Sequence, residues 1–365
     1  MHTEPEAEGP TAPRPVTRNR DGHAAGDPTR SPGARRRDSA APVVDTGSQR
    51  IRVVDRLETD PVAERAALMA GLRSSPASIA PKYFYDELGC ALYGAICELP
   101  EYYPTRTEAR LFDEHRQAIV ASVEGGGQFV DLGAGDGAKA EEWLPWLAPE
   151  RYVAVDIAGH AIERTLARLA ERFHGIDMAG VVTDFAGGLD LTADLHPGPV
   201  TFFYPGSSIG NFTPEAAVEF LRRIHRHCAR RPSSGLLIGV DTKKAKARLD
   251  AAYDDALGVT ALFNRNVLNH VNRILGSDFD PRHFVHRAFF VEPRGRIEMH
   301  LEATCDQSVM LDGVERHFRA AERIHTENSY KYTRDEFESL LALAGFATVR
   351  TWEDAAGDYA VYWAA

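Results

Sequence analysis

Phe129-Val130-Asp131-Leu132-Gly133-Ala134-Gly135-Asp136-Gly137 reads as a buried strand that runs into a glycine turn. Two apolar residues lead to an acid, and beyond the turn Ala138 to Leu147 has the pattern of a helix. Strand, tight turn and helix in that order make the nucleotide-binding corner of a doubly wound sheet. Gly133 and Gly135 suit it because the backbone must take positive φ and let a ligand approach with no Cβ in the way. The spacing is Gly-x-Gly-x-Gly, so the Gly-x-Gly-x-x-Gly dinucleotide fingerprint is not met. The loop alone leaves a nicotinamide dehydrogenase and an S-adenosylmethionine (SAM) enzyme both open.

The following strands narrow the choice. Tyr152-Val153-Ala154-Val155-Asp156-Ile157 places Asp156 at a strand tip, where a carboxylate can accept both ribose hydroxyls. Gly180-Val181-Val182-Thr183-Asp184-Phe185 ends a third strand, with Asp184 able to take an adenine amino group and Phe185 able to cover the ring. Asp131, Asp156 and Asp184 at three successive strand ends form the layout of SAM-dependent methyltransferases. Singly, each also reads as a solvated strand-end residue or helix cap. Val200 to Tyr204 is nearly all apolar, as a strand covered on both faces requires. It runs into Gly206-Ser207-Ser208-Ile209-Gly210-Asn211, after which Thr213 as N-cap and Pro214 at the first helical position start a helix. That loop therefore lies at the C-terminal edge of the sheet beside the cofactor, with Asn211 either meeting a ligand or only turning the chain. Leu236–Asp241 is a fifth strand. Thr333 and Glu336 form a capping box for a last helix that Gly345 ends, and Phe346–Trp352 with Asp358–Trp363 close the sheet. Seven strands with a hairpin-like end predict an α/β fold, the class I SAM-dependent methyltransferase version of the Rossmann-like sheet.

At 365 residues the chain can bury a large core, and a net charge of -11 argues against a broad nucleic-acid surface. No run has the length of a membrane span, and the N-terminus lacks the apolar core of a signal peptide. Cys90, Cys97, Cys228 and Cys305 show no paired spacing, and the histidines show no metal-ligand spacing, so no metal is expected. A reduced, cytoplasmic, monomeric protein is expected. Residues 1–48 hold seven prolines and no Leu, Ile, Phe, Tyr or Trp, which predicts a disordered tail. Ile51 to Ser75 reads as helical, with Val62, Ala66, Leu68, Met69 and Leu72 as its apolar stripe.

Two further regions stand outside the sheet. Tyr83, Tyr85, Tyr93, Tyr102 and Tyr103 crowd the segment before it; such rings either build a pocket for a small polar ligand or simply pack on the sheet. After the fifth strand, Ala245 to Leu275 is mainly helical and residues 286–303 alternate as a ribbon turning near Pro293-Arg294-Gly295. We expect a second, substrate-binding α+β domain from residues 49–106 and 242–331, with the methyltransferase domain in 107–241 and 332–365.

Several stretches carry a family resemblance. They are Tyr83-Phe84-Tyr85-Asp86, Leu99-Pro100-Glu101-Tyr102-Tyr103-Pro104-Thr105-Arg106, Gly206 to Asn211, Tyr253-Asp254-Asp255, Gly258-Val259-Thr260, Phe263-Asn264-Arg265-Asn266 and Arg296-Ile297-Glu298-Met299. Together they resemble the histidine Nα-methyltransferases of ergothioneine biosynthesis, from about residue 60 to the C-terminus. The resemblance implies three SAM-dependent methylations of the α-amine of L-histidine, giving the betaine hercynine. It implies Glu327 and Ser329 as readers of the imidazole with Tyr102 nearby, and Asn211 and Tyr253 as holders of the substrate carboxylate. Tyr85, Tyr93, Gly206, Thr260 and Met299 would line the pocket, with Tyr85 near the amine as the catalytic hydroxyl. Lys139 would pair with the methionyl carboxylate of SAM. Tyr93 stands where the family pattern has Phe, and Asp136-Gly137-Ala138 departs from a Ser/Thr-rich version of the turn.

The residue types suit the reaction. Methyl transfer from a sulfonium to an amine is an in-line displacement, so the protein chiefly orients and desolvates, which is worth roughly 7–11 kcal/mol. Aromatic walls tolerate a growing ammonium through cation–π attraction. Glu327 and Ser329, two apart on an extended segment, point to one side. A tryptophan derivative is the alternative substrate, against which Glu327 speaks because an indole's apolar side would leave it unpaired. A dehydrogenase or a non-catalytic SAM-binding protein are the readings from other classes.

Overall fold

The computed structural model describes residues 43–45, 50–57, 60–123, 126–185 and 187–365. The chain opens with β1 (Val43–Asp45), β2 (Arg50–Asp55), α1 (Pro61–Arg73), the short β3 (Ala77–Ser78), α2 (Glu87–Cys97) and α3 (Tyr103–Val123). The alternating core follows as β4 (Gln128–Leu132), α4 (Ala138–Leu147), β5 (Arg151–Asp156), α5 (Gly159–Arg172) and β6 (Asp177–Val182). It continues through β7 (Val200–Tyr204), α6 (Pro214–Cys228) and β8 (Gly235–Asp241). The excursion then runs through α7 (Lys246–Tyr253), α8 (Val259–Leu275), β9 (Phe284–Val291) and β10 (Arg296–Ala303). It ends with β11 (Gln307–Leu311), β12 (Val314–Phe318) and β13 (Arg323–Tyr330). The chain returns with α9 (Arg334–Ala344), β14 (Val349–Glu353) and β15 (Tyr359–Ala364).

The large sheet has the order β1-β2-β6-β5-β4-β7-β8-β15-β14, parallel from β2 to β8, with β15 antiparallel to both its neighbours. Every residue of β4, β7, β8 and β15 is buried, which is what helices on both faces demand of a central strand. Strand order reverses at β4 and β7, so the crevice for a ligand opens at their C-terminal ends. The capping box at Thr333 and the N-cap at Thr213 are both formed. This is the class I SAM-dependent methyltransferase architecture.

Two expectations need correction. The sheet has nine strands, not seven, because β1 and β2 extend its far edge. Ile51–Asp55 is strand, not the start of a helix: Ile51 and Val53 are buried and Arg52 between them is exposed, a period of two. The two apolar side chains join the core formed by Ile162 and Leu166 of α5. The helix begins only at Pro61, behind the N-cap Asp60; it buries Leu68 and Leu72 but leaves Val62 in solvent. Val43–Asp45, inside the stretch read as a tail, pairs antiparallel with β2; residues 1–42 and 46–48 lie outside the described residues.

The excursion forms a second sheet, β3-β13-β10-β9, with β11 and β12 as a separate hairpin. β9 and β10 pair antiparallel around the turn at Gly295, as their alternation predicts. Its own apolar core gathers Leu68 and Leu72 of α1, Phe84, Phe263 and Val267 of α8, and Met299 and Leu301 of β10. Beyond β13, the Tyr332 N–H donates to the Asp241 carbonyl at the end of β8, which ties the second sheet's exit to the ligand-binding edge of the first.

Candidate active site

The glycine turn after β4 has the conformation its sequence calls for: φ is 73° at Gly133, 53° at Gly135 and 68° at Gly137. A Cβ at Gly137 would stand 2.4 Å from Thr165 Cγ2, so α5 itself closes on the loop there. Asp156 at the tip of β5 holds the turn, its carboxylate accepting the Gly135 N–H at 2.9 Å and the Ala158 N–H at 2.9 Å. On the outer side there is room: a Cβ at Gly133 or Gly135 would meet nothing nearer than Phe185 Cζ at 3.9 Å or the Gly133 carbonyl at 4.0 Å. Phe185 thus flanks the open side of the turn, packed edge-on to Tyr204. Asp184 lies 3.7 Å from Lys82 of the segment leading into α2. Asp131, by contrast, is buried and accepts the Tyr152 hydroxyl; burial pushes its carboxyl up to about 7. An open glycine cradle with a strand-tip acid and a flanking aromatic fits the nucleoside end of SAM.

The loop after β7 is pinned from beneath by α3. Glu108 is buried and accepts from three sides: the Gly206 N–H at 2.7 Å, the Tyr359 hydroxyl at 2.7 Å and Lys139 Nζ at 2.5 Å. Lys139, set on α4 just past the glycine turn, therefore comes up beside Gly206, where an added Cβ would lie 3.2 Å from its Nζ. Sequence reasoning missed Glu108, whose only signal is its place two residues after Arg106 in the tyrosine-rich motif. Gly210 is backed by β13: a Cβ there would sit 2.7 Å from the Tyr330 carbonyl. The close approach carries the loop against the second sheet.

Between that loop, α2, α7, α8 and the second sheet lies a cavity. Tyr85, Tyr93, Tyr102, Gly206, Asn211, Tyr253, Thr260, Met299, Glu327 and Ser329 all line it. Tyr85, Tyr93, Tyr102 and Phe263 form a continuous aromatic wall, with ring centroids 6.0 to 6.5 Å apart between successive members. Asp255 accepts the N–H groups of Val259 and Thr260, fixing the start of α8 and with it Thr260. Met299 pairs across the ladder with Glu327, just before a bulge, so both reach the cavity. Asn211 and Glu327 face the same space, and Tyr253 and Ser329 share a hydrogen bond of 2.8 Å. Asn211, in the loop after β7, and Glu327, on β13 and 116 residues further along the chain, thus meet in one pocket.

Burial dominates the electrostatics here. It lifts the Glu327 carboxyl to about 7, against the pull of Lys331 and Asn211. It also holds the phenols of Tyr85 and Tyr102 well above their ordinary range, so both stay neutral hydroxyls. Behind Ser329 stands a buried charge pair that the sequence reading did not single out. Lys331 Nζ lies 2.6 Å from Asp241 Oδ2, and Asp241 also takes the Tyr103 hydroxyl at 2.7 Å and Lys244. Alternation along the strand contained the signal, since Glu327, Ser329 and Lys331 share one side.

Residues 64–365 match the protein family described as histidine-specific methyltransferase, SAM-dependent. The chain belongs to this histidine-specific methyltransferase family. It is 37% identical over 324 residues to histidine N-alpha-methyltransferase of Mycobacterium tuberculosis, covering 87% of this chain and 99% of that protein. The corresponding enzyme of Mycolicibacterium smegmatis is 37% identical over 317 residues, covering 85% of this chain and 97% of the relative. Among solved structures, the SAM-bound amino pentose methyltransferase CalS10 of Micromonospora echinaspora is 14% identical with a TM-score of 0.36, covering 77% of this chain and 97% of that one. As a member of the histidine-specific methyltransferase family the chain is a SAM-dependent N-methyltransferase of a small molecule. Among its described residues no group of three or more His, Cys, Asp and Glu is placed to hold a metal, and no helix is long and apolar enough to cross a membrane.

Proposed function

We propose that this protein methylates the α-amine of L-histidine three times with SAM, giving Nα,Nα,Nα-trimethylhistidine. The observation that carries the reading is the placement of Glu327 and Ser329 in the same cavity as Asn211 and Tyr253, one wall of which is the Gly206 loop beside Lys139. Asn211 and Tyr253 take the substrate carboxylate, and Glu327 and Ser329 take the imidazole, with Tyr102 beside it. Lys139, Asp156, Asp184 and Phe185 with the turn at Gly133 and Gly135 hold SAM, which when bound supplies an electrophilic methyl group on a sulfonium.

The nucleophile must be the neutral amine, whose lone pair is available only after a proton leaves. Neutral phenols make poor bases, so Tyr85 acts by accepting an amine N–H and aiming the lone pair, while the proton passes to water. The aromatic wall gives each added methyl an apolar and polarisable surface, worth about 0.5–2 kcal/mol for the quaternary product. We place the enzyme in the cytoplasm as a monomer. Incubation with SAM and L-histidine followed by mass spectrometry should show mono-, di- and trimethylhistidine. Absence of all three would end the proposal. A tryptophan-derivative substrate remains the second reading, on the ground that the aromatic wall would accept an indole.

A further inference from the structure

Lys331 does not line the cavity, yet Ser329 and Tyr253, which do, both rest on it. Its side chain is 1% exposed. An ammonium has three N–H donors and no acceptor. The three neighbours of Nζ are Asp241 Oδ2 at 2.6 Å, the Tyr253 hydroxyl at 2.9 Å and the Ser329 hydroxyl at 2.9 Å. One proton goes to each. Both hydroxyl oxygens therefore accept from Lys331, and each keeps its own proton to give away. The two hydroxyls are 2.8 Å apart, so one of those protons lies between them. Both residues line the cavity, so a bound substrate can take the two hydroxyl protons in place of that bond, Tyr253's at its carboxylate and Ser329's at its ring.

We infer that Lys331 is a positioning residue that fixes the hydrogen-bond polarity of Ser329 and Tyr253, so that Ser329 presents a donor to the substrate ring and Tyr253 one to its carboxylate. This rests on the reading of the cavity as the histidine site. Its consequence is a specificity rule. An ionised Glu327 accepts a ring N–H, and the Ser329 hydroxyl gives a proton to a ring nitrogen that has none. Only a heteroaromatic ring with one N–H and one bare nitrogen satisfies both, which is a neutral imidazole in a single tautomer. An imidazolium brings two donors and leaves the hydroxyl proton facing another proton. An indole or pyrrole brings a donor but no acceptor. Without the ammonium the hydroxyls are free to turn and accept instead, and the rule is lost. The Asp241 carboxylate keeps Lys331 charged against its burial, with Tyr103 and Lys244 holding that carboxylate in turn.

The test compares wild type with Lys331→Met and Lys331→Arg on L-histidine and on a pyrrolylalanine that keeps the ring N–H but lacks the second nitrogen. For wild type, kcat/KM should favour histidine by about 10- to 100-fold, the size of one lost hydrogen bond to a fixed donor. In Lys331→Met the preference should fall to within about 3-fold, with the loss on histidine in KM rather than kcat and SAM affinity within about 2-fold of wild type. Lys331→Arg should recover part of it. A folded Lys331→Met that binds SAM normally and keeps the full preference overturns the inference while leaving the histidine reading intact. A wild type that methylates no histidine overturns that reading and this one with it. Wild type alone gives an independent check should Lys331→Met not fold: 15N NMR of bound, ring-labelled histidine at pH 7.5 should show one protonated and one bare nitrogen, and a doubly protonated ring would contradict the rule.

Discussion

Glu327, the proposed reader of the imidazole, shows what burying a carboxyl costs the fold. Its carboxyl titrates near 4.5 in an unfolded chain and is lifted to about 7 in the folded protein, chiefly by burial. Between those two values the folded protein holds the proton more tightly than the unfolded chain. The full stability is therefore present below about 4.5 and falls as pH rises to about 7, beyond which the loss is constant. Glu327→Gln removes the ionisation, so at pH 8 it should raise unfolding free energy by about 1–3 kcal/mol in denaturant titrations. The same change should lower kcat/KM for histidine by about 10- to 100-fold, as loss of a charge-assisted hydrogen bond does. A variant that is both less stable and fully active at pH 8 would show that Glu327 faces neither a dry cavity nor the ring. The residue type was legible only through the family resemblance; by itself an acid in Thr326-Glu327-Asn328 reads as a surface residue. What hid Lys331, Asp241 and Glu108 is that their partners are far along the chain, at Tyr253, Tyr103 and Gly206, so that no local pattern names them.

At the scale of elements, the local chemistry of turns and caps carried the reading furthest. The glycine turn, the N-caps at Thr213 and Thr333 and the ribbon around Gly295 all follow from short-range backbone preference and stand where the sequence puts them. The misread element is β2. Ile51, Val53 and Val54 fit a strand, but the stretch runs on into α1 with only Asp60-Pro61 to mark the boundary, and a helical period was extended back across it. Position 137 offers the sharpest test of the turn. Gly137→Ala would need a left-handed alanine and would drive its Cβ into Thr165, so SAM affinity should drop at least about 10-fold by calorimetry, from backbone strain on the order of 1–3 kcal/mol. Unchanged affinity would mean that the turn does not shape the cofactor site. Glu108→Gln tests the second loop. It weakens the hold on both Lys139 and the Gly206 N–H, so KM for SAM and for histidine should rise together, by about 3- to 30-fold for two charge-assisted bonds. A rise in one alone would show that Glu108 serves a single site.

For the molecule as a whole, the ligand-binding edge of one sheet meets a second sheet, built from β3 near the start of the chain and from strands inserted between β8 and α9. The division of labour explains why the glycine turn and the strand-tip acids could be placed from spacing while the cavity could not: the first follow one another along β4, β5 and β6, the second is gathered from α2, α7, α8, β10, β13 and the loop after β7. The far edge at β2 is a different matter, since it supplies no side chain to the cavity. Val53→Ala there should cost about 1–2 kcal/mol of stability in denaturant, the usual loss for a buried valine, and leave kcat/KM for histidine unchanged. A fall in activity would show that the edge strands couple to the site. The account as a whole depends on the cavity being matched to an imidazole. Competition between L-histidine and L-tryptophan for methylation by SAM, with products counted by mass spectrometry, tests it most directly. The account predicts histidine carrying up to three methyl groups on its α-nitrogen and tryptophan left unmodified; methylated tryptophan with unmodified histidine would contradict it.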